Sequence, residues 1–182
     1  MIYTWKEIVE KEGNRFLAES SIAKGKYSKV SHGLYVDSGA HISELEQIFA
    51  TYPRATLTMQ SAFEYYQLSD YIPDKYYVVT PYNAHRIKNP KVIQSYMNEE
   101  LMQIGREKIK TQYGYIYIFS KERMLIELIR LKNKLPRDYY LEAISSYRVL
   151  KSMNLLSMYT ISEYCKSFPS GMKILKEIQE VI

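Results

Sequence analysis

The chain holds one cysteine, Cys165, among 182 residues, which excludes an internal disulfide and a multi-cysteine metal site. No apolar run approaches the ~18 residues of a membrane span. The opening residues, MIYTWKEIVEKEG, carry acids within an amphipathic pattern and lack the apolar core of a secretory signal. The expectation is a soluble, cytoplasmic protein with no membrane partner. Catalytic signatures are also missing. There is no Gly-x-x-x-x-Gly-Lys phosphate loop, no Gly-x-Gly-x-x-Gly and no Gly-x-Ser-x-Gly elbow. The three histidines, His32, His41 and His85, are scattered without metal-ligand spacing. Cys165 shares helical spacing with Ile161, Tyr164 and Phe168, the pattern of a core residue rather than a nucleophile. With no acid–base pair or nucleophile to name, the chain reads as a non-enzyme that needs no cofactor or metal.

What is present is ordinary globular material, 46% hydrophobic and 25% charged, enough to bury a real core. The formal net charge is +5 and the pI near 9.0. Residues 1–36 carry six basic and four acidic side chains. Such a balance permits contact with nucleic acid without requiring it. The 19 tyrosines stand out. A/T-rich codon usage would raise Tyr, Lys and Ile together, so their number alone assigns no function.

The N-terminal quarter reads as a helix at 4–12, capped by the Thr4/Glu7 pair and stopped by Gly13. One or two very short helices fit 14–24. Tyr27–Val36 then suggests two short strands around a polar turn with Gly33. Helix followed by a small β-wing is the order of a winged helix. Asp37-Ser38-Gly39 marks a break. Beyond it, Ser43/Glu46 opens a helix, Arg54–Met59 alternates as a strand, and Ser61/Glu64 opens another helix ending near Leu68. Lys75–Thr80 is rich in β-formers. Residues 82–90 read as an irregular loop. Further strands are expected at 92–97, 101–104, 107–111 and 115–119. After Ser120 the period changes from two to about 3.6. Helices are expected at 121–133, 138–151, 153–167 and 171–181. The fold class is therefore α+β: a small, short winged helix-turn-helix at residues 1–37, then a mixed α/β body at 38–182 with a helical C-terminal tail.

Three constellations carry the functional reading. Lys24, Lys26, Lys29 and His32 surround the expected wing and can neutralise DNA phosphates. A solvated, lysine-rich loop gives the same pattern. The second constellation is the stretch Ser61–Pro81. The third is Phe119–Arg130, in which Arg123, Glu127 and Arg130 fall at i, i+4 and i+7 on one helical face. Leu125, Leu128 and Ile129 lie largely away from that face. A charged stripe of this kind is also what plain solvated surface looks like.

In their order these segments resemble the AbiEi family of bacterial antitoxins, over about residues 1–150. Lys29-Val30-Ser31-His32-Gly33-Leu34-Tyr35-Val36 is similar to the family's wing, typically Val-Ser-Arg-Gly-(apolar)-Tyr. Ser61–Pro81 resembles its helix, turn, proline and strand. Glu122-Arg123 through Glu127 and Arg130 is similar to its Glu-Arg-Thr-Leu-(apolar)-Asp-(two apolar)-Arg helix start. The resemblance implies a winged helix that binds inverted repeats in its own promoter, through Lys24, Lys26, Lys29 and His32. It also implies a body that counters a nucleotidyltransferase toxin without needing a stable complex, with Arg86, Glu122, Arg123, Glu127 and Arg130 serving antitoxicity. His32 and Met124 stand where the family usually has arginine and threonine, and residues 15–26 leave room for about two helical turns before the wing. A winged-helix regulator or interaction adaptor with no toxin partner is the alternative. The oligomeric state expected is a monomer or weak dimer.

Overall fold

The computed structural model describes residues 1–182. Its elements are helices and a mixture of parallel and antiparallel strands, an α+β fold. The chain divides into two compact units, Met1–Pro53 with Lys108–Ile116, and Arg54–Glu107 with Tyr117–Ile182.

The first unit opens with strand β1 (Ile2–Thr4), which the helical pattern of the opening residues hides. Helix α1 (Trp5–Glu12) follows, with the expected capping box: Thr4 and Glu7 satisfy each other's backbone N–H groups. Gly13, at φ 97°, ends it where a residue with a Cβ would be strained. Residues 14–24 form one helix, α2 (Arg15–Ala23), because the Asn14 side chain caps it by accepting from the Leu17 N–H. Strands β2 (Tyr27–Ser31) and β3 (Leu34–Asp37) make the expected hairpin. β3 takes the centre of a three-stranded antiparallel sheet in the order β1-β3-β2. Ile8, Ala18 and Tyr27 form the buried core beneath α1 and α2, with Trp5, Ile22 and Tyr35 packed against it. The turn at Asp37–Gly39 lies inside this unit, which continues through helix α3 (Glu44–Thr51). Glu46 of α3 is buried. Burial pushes its carboxyl up, but hydrogen bonds from Thr111, Ser43 and the Tyr113 N–H outweigh that and hold it below the ordinary value.

The second unit contains strand β4 (Thr56–Leu57), helix α4 (Met59–Tyr65), strands β5 (Tyr76–Pro81) and β6 (Val92–Met97), and helix α5 (Glu99–Gln103). Strands β7 (Arg106–Lys110) and β8 (Tyr115–Phe119) follow. The five strands make one sheet in the order β6-β5-β4-β8-β7, with β5/β6 and β4/β8 parallel and β4/β5 antiparallel. Helices α6 (Lys121–Leu131), α7 (Arg137–Ser152), α8 (Met158–Cys165) and α9 (Gly171–Val181) complete the tail, with a short 3-10 turn (Lys132–Lys134) after α6.

Several expected elements differ. The strand expected at 101–104 is instead the short helix α5. The Asn98 side chain accepts from the Glu100 and Leu101 N–H groups, and two acids fill the first turn at the positive helix end. The strand expected over Arg54–Met59 contracts to Thr56–Leu57. Ser61 does not open a helix: its hydroxyl bonds the Lys75 carbonyl and the Tyr77 N–H, fastening α4 to β5. The helix expected from 153 begins only at Met158, because Asn154 turns left-handed at φ 57° and Ser157 makes the cap.

Candidate functional site

The residues expected at a wing come from the β2–β3 hairpin and the helix end before it. Lys24 ends α2, Lys29 lies on β2, and His32 occupies the β2–β3 turn next to Gly33, whose φ is 73°. All three are exposed. Lys26 differs, because its ammonium is held 2.7 Å from Glu12 Oε1. The same carboxylate accepts from the Tyr27 hydroxyl at 2.6 Å and the Ser21 hydroxyl at 2.7 Å. Hydrogen bonds from Lys26, Tyr27 and Ser21 pull the Glu12 carboxyl down to about 2. Glu12 thus fastens the end of α1 to α2 and to the start of β2. Lys24 and Lys29 are left as the free cations of the set.

The exposed face of α2 was not singled out from sequence. Phe16 is 77% exposed in its first turn, beside Arg15, which reaches Glu19 at 2.9 Å. Only an element map with α2 in one piece brings this out, since 14–24 is weakly periodic. An open depression of about 390 Å³ lies in the same unit, lined by Trp5, Glu19, Ile22, Ala23 and Tyr35.

The body residues form a different kind of centre. α6 is buried from Arg123 to Ile129. Most of its charged stripe does not face solvent: Arg123 is 0% and Glu127 2% exposed, and only Arg130 reaches the surface. Arg123 Nε donates to Glu127 Oε1 at 2.9 Å. Its Nη1 donates to the carbonyls of Leu101 at 2.6 Å and Ile104 at 2.8 Å, and Nη2 lies 3.1 Å from Met97 Sδ. The guanidinium plane is sandwiched by Phe119 at 4.3 Å and Phe168 at 4.5 Å. Burial pushes the guanidinium below its ordinary value, and Glu127 opposes that shift. Arg130, nearer the surface, donates to both Glu127 oxygens at 2.8 and 2.9 Å. Glu122 accepts from the Ser157 N–H at 3.2 Å and so steadies the start of α8. Arg86 is set apart, exposed in the loop between β5 and β6. The structure therefore brings together Arg123, Glu127 and Arg130, places Glu122 beside α8, and leaves Arg86 outside that network.

Gly105, at φ 66°, belongs to this centre. A Cβ there would lie 2.6 Å from Arg123 Cβ and 2.9 Å from the Tyr164 ring. Cys165 is buried, and burial pushes its thiol up. No group of three or more His, Cys, Asp or Glu side chains is arranged to hold a metal ion. No helix is long and apolar enough to cross a membrane.

No family model matches the chain, and no curated protein matches it either. Among solved structures it is similar to the crystal structure of RV2827C protein from Mycobacterium tuberculosis, with a TM-score of 0.56 and 12% identity. The match covers 100% of this chain and 72% of that one. At that identity the likeness concerns the fold alone.

Proposed function

We propose that the protein is an antitoxin and transcriptional autorepressor of the AbiEi type, binding its own promoter and countering a nucleotidyltransferase toxin. The observation that carries the reading is the N-terminal module. Two helices joined at Gly13–Asn14 are followed by a two-stranded wing, and the sheet order is β1-β3-β2. This arrangement supports the winged helix-turn-helix reading, with β1 as the third strand beside the hairpin. α2 is then the helix that enters the major groove by its N-terminal end, where Arg15 and Phe16 are exposed. Lys24 and Lys29 supply phosphate contacts.

A specific observation favours the alternative, a winged-helix regulator or adaptor without a toxin. The Arg123–Glu127 pair, which carries much of the body's resemblance, is consumed by packing. The test is growth rescue in cells expressing the neighbouring open reading frame. The antitoxin reading expects a nucleotidyltransferase-like neighbour whose toxicity this chain relieves. A harmless neighbour, or toxicity that the chain leaves unchanged, overturns it and leaves the regulator.

A further inference from the structure

We propose that the outer edge of β6 is a homodimer interface, pairing antiparallel with β6 of a second copy of this chain. The proposal is independent of the antitoxin reading.

The five-stranded sheet treats its two edges differently. β7, at one end, reads Arg-Glu-Lys-Ile-Lys, and charges of this density, lysine above all, are the usual protection against edge-to-edge pairing. β6, at the other end, reads Val-Ile-Gln-Ser-Tyr-Met. It has no charge, no proline and an unbroken register along its six residues. Ile93 and Tyr96 are 40% and 42% exposed on it. Such a strand is a ready template for another strand.

The backbone sets how the second strand would dock. The Lys91 carbonyl accepts from the Tyr76 N–H, and the Met97 carbonyl accepts from the Tyr82 N–H, so the odd-numbered residues face inward. In a parallel pair alternate residues bond the neighbour, which leaves Val92, Gln94 and Tyr96 directed outward. The Val92 N–H is already taken by the Asn89 carbonyl. Centring the two-fold axis on Gln94 pairs Gln94 with its own copy and sets the Tyr96 N–H against the partner's Val92 carbonyl, leaving the Tyr96 carbonyl to solvent.

Charge selects an identical, antiparallel partner. Lys88 and Lys91 precede the strand, and Glu99 and Glu100 follow it. Antiparallel pairing brings the basic start of one strand, with Lys88 and Lys91, toward the acidic end of the other, with Glu99 and Glu100, twice by symmetry. A parallel second copy would set like charge on like. The Gln94 side chain at the centre of the edge is fixed before docking, tied to the Ile87 N–H at 2.7 Å, the Thr80 hydroxyl at 2.7 Å and the His85 carbonyl at 3.2 Å.

The experiment is sedimentation equilibrium of the full chain at low salt, from micromolar to sub-millimolar concentration, with circular dichroism to confirm folding of each variant. The expected result is a concentration-dependent monomer–dimer equilibrium. Ile93→Lys should abolish it. Lys88→Glu or Glu100→Lys alone should weaken it by about tenfold, and the two together should restore it. A monomer throughout the range overturns the proposal. So does a dimer indifferent to Ile93→Lys and to the charge exchange, which would use another surface.

Discussion

At the scale of single residues, Arg123 sets the terms for the body. Its five N–H donors reach one carboxylate, two carbonyls and a thioether sulfur, and its plane fills the gap between two phenyl rings. Removing it strands Glu127 in the core with Arg130 as its remaining ion-pair partner. Arg123→Ala should therefore cost about 3–5 kcal/mol of unfolding free energy in urea titrations. Arg130→Ala, at the surface end, should cost about 1 kcal/mol or less. Gly105→Ala should cost about 2–3 kcal/mol, since it adds both left-handed strain and a clash with Arg123 Cβ. Equal losses at Arg123 and Arg130 would mean that the two share one solvated environment. The spacing of Arg123, Glu127 and Arg130 on one helical face was legible in the sequence, but their burial was not. Charge periodicity says which side chains share a face. It cannot say that Phe119 and Phe168, from other elements, close over that face.

At the scale of elements, two of the three capping pairs read from the sequence, Thr4/Glu7 and Ser43/Glu46, form capping boxes. The third, Ser61/Glu64, does not, because the Ser61 hydroxyl is taken by the Lys75 carbonyl and the Tyr77 N–H. A capping pair is a local signal that a tertiary contact can override. The short strand β1 was hidden because its partner β3 lies some thirty residues on, at Leu34–Val36. α5 was misread because Leu-Met-Gln-Ile looks β-prone, while the decisive cap, Asn98, sits outside the run. Glu12 illustrates how elements are tied together. Its carboxyl is held at about 2, below the usual carboxylate value of 4.5, by Lys26, Tyr27 and Ser21. A depressed carboxyl contributes stability that is complete above the unfolded value and is lost as pH falls toward the folded one. The wild type should therefore lose stability between about pH 4.5 and 2 partly through this group. Glu12→Gln should be less stable at neutral pH and show a shallower acid loss over that window, measured by thermal unfolding at a series of pH values. An unchanged acid profile would remove Glu12 from the hinge between α1, α2 and β2.

At the scale of the whole molecule, the α+β class, with mixed strands followed by a helical tail, could be read from the change of hydrophobic period at Ser120. The division into two units, with α3 in the first and the boundary falling at Pro53, could not, because Asp37-Ser38-Gly39 has the composition of a linker and only its hydrogen bonds reveal a turn. The functional account rests on the head. The most direct test of it is the binding of the full chain to its own promoter DNA across a salt series, comparing the wild type with the Lys24→Ala/Lys29→Ala double variant. Each phosphate contact contributes about 0.9 to the slope of log K against log salt. The account predicts salt-dependent binding to the promoter, with a slope reduced by about 1.8 in the double variant. No binding at low salt, or an identical slope in both proteins, would contradict it.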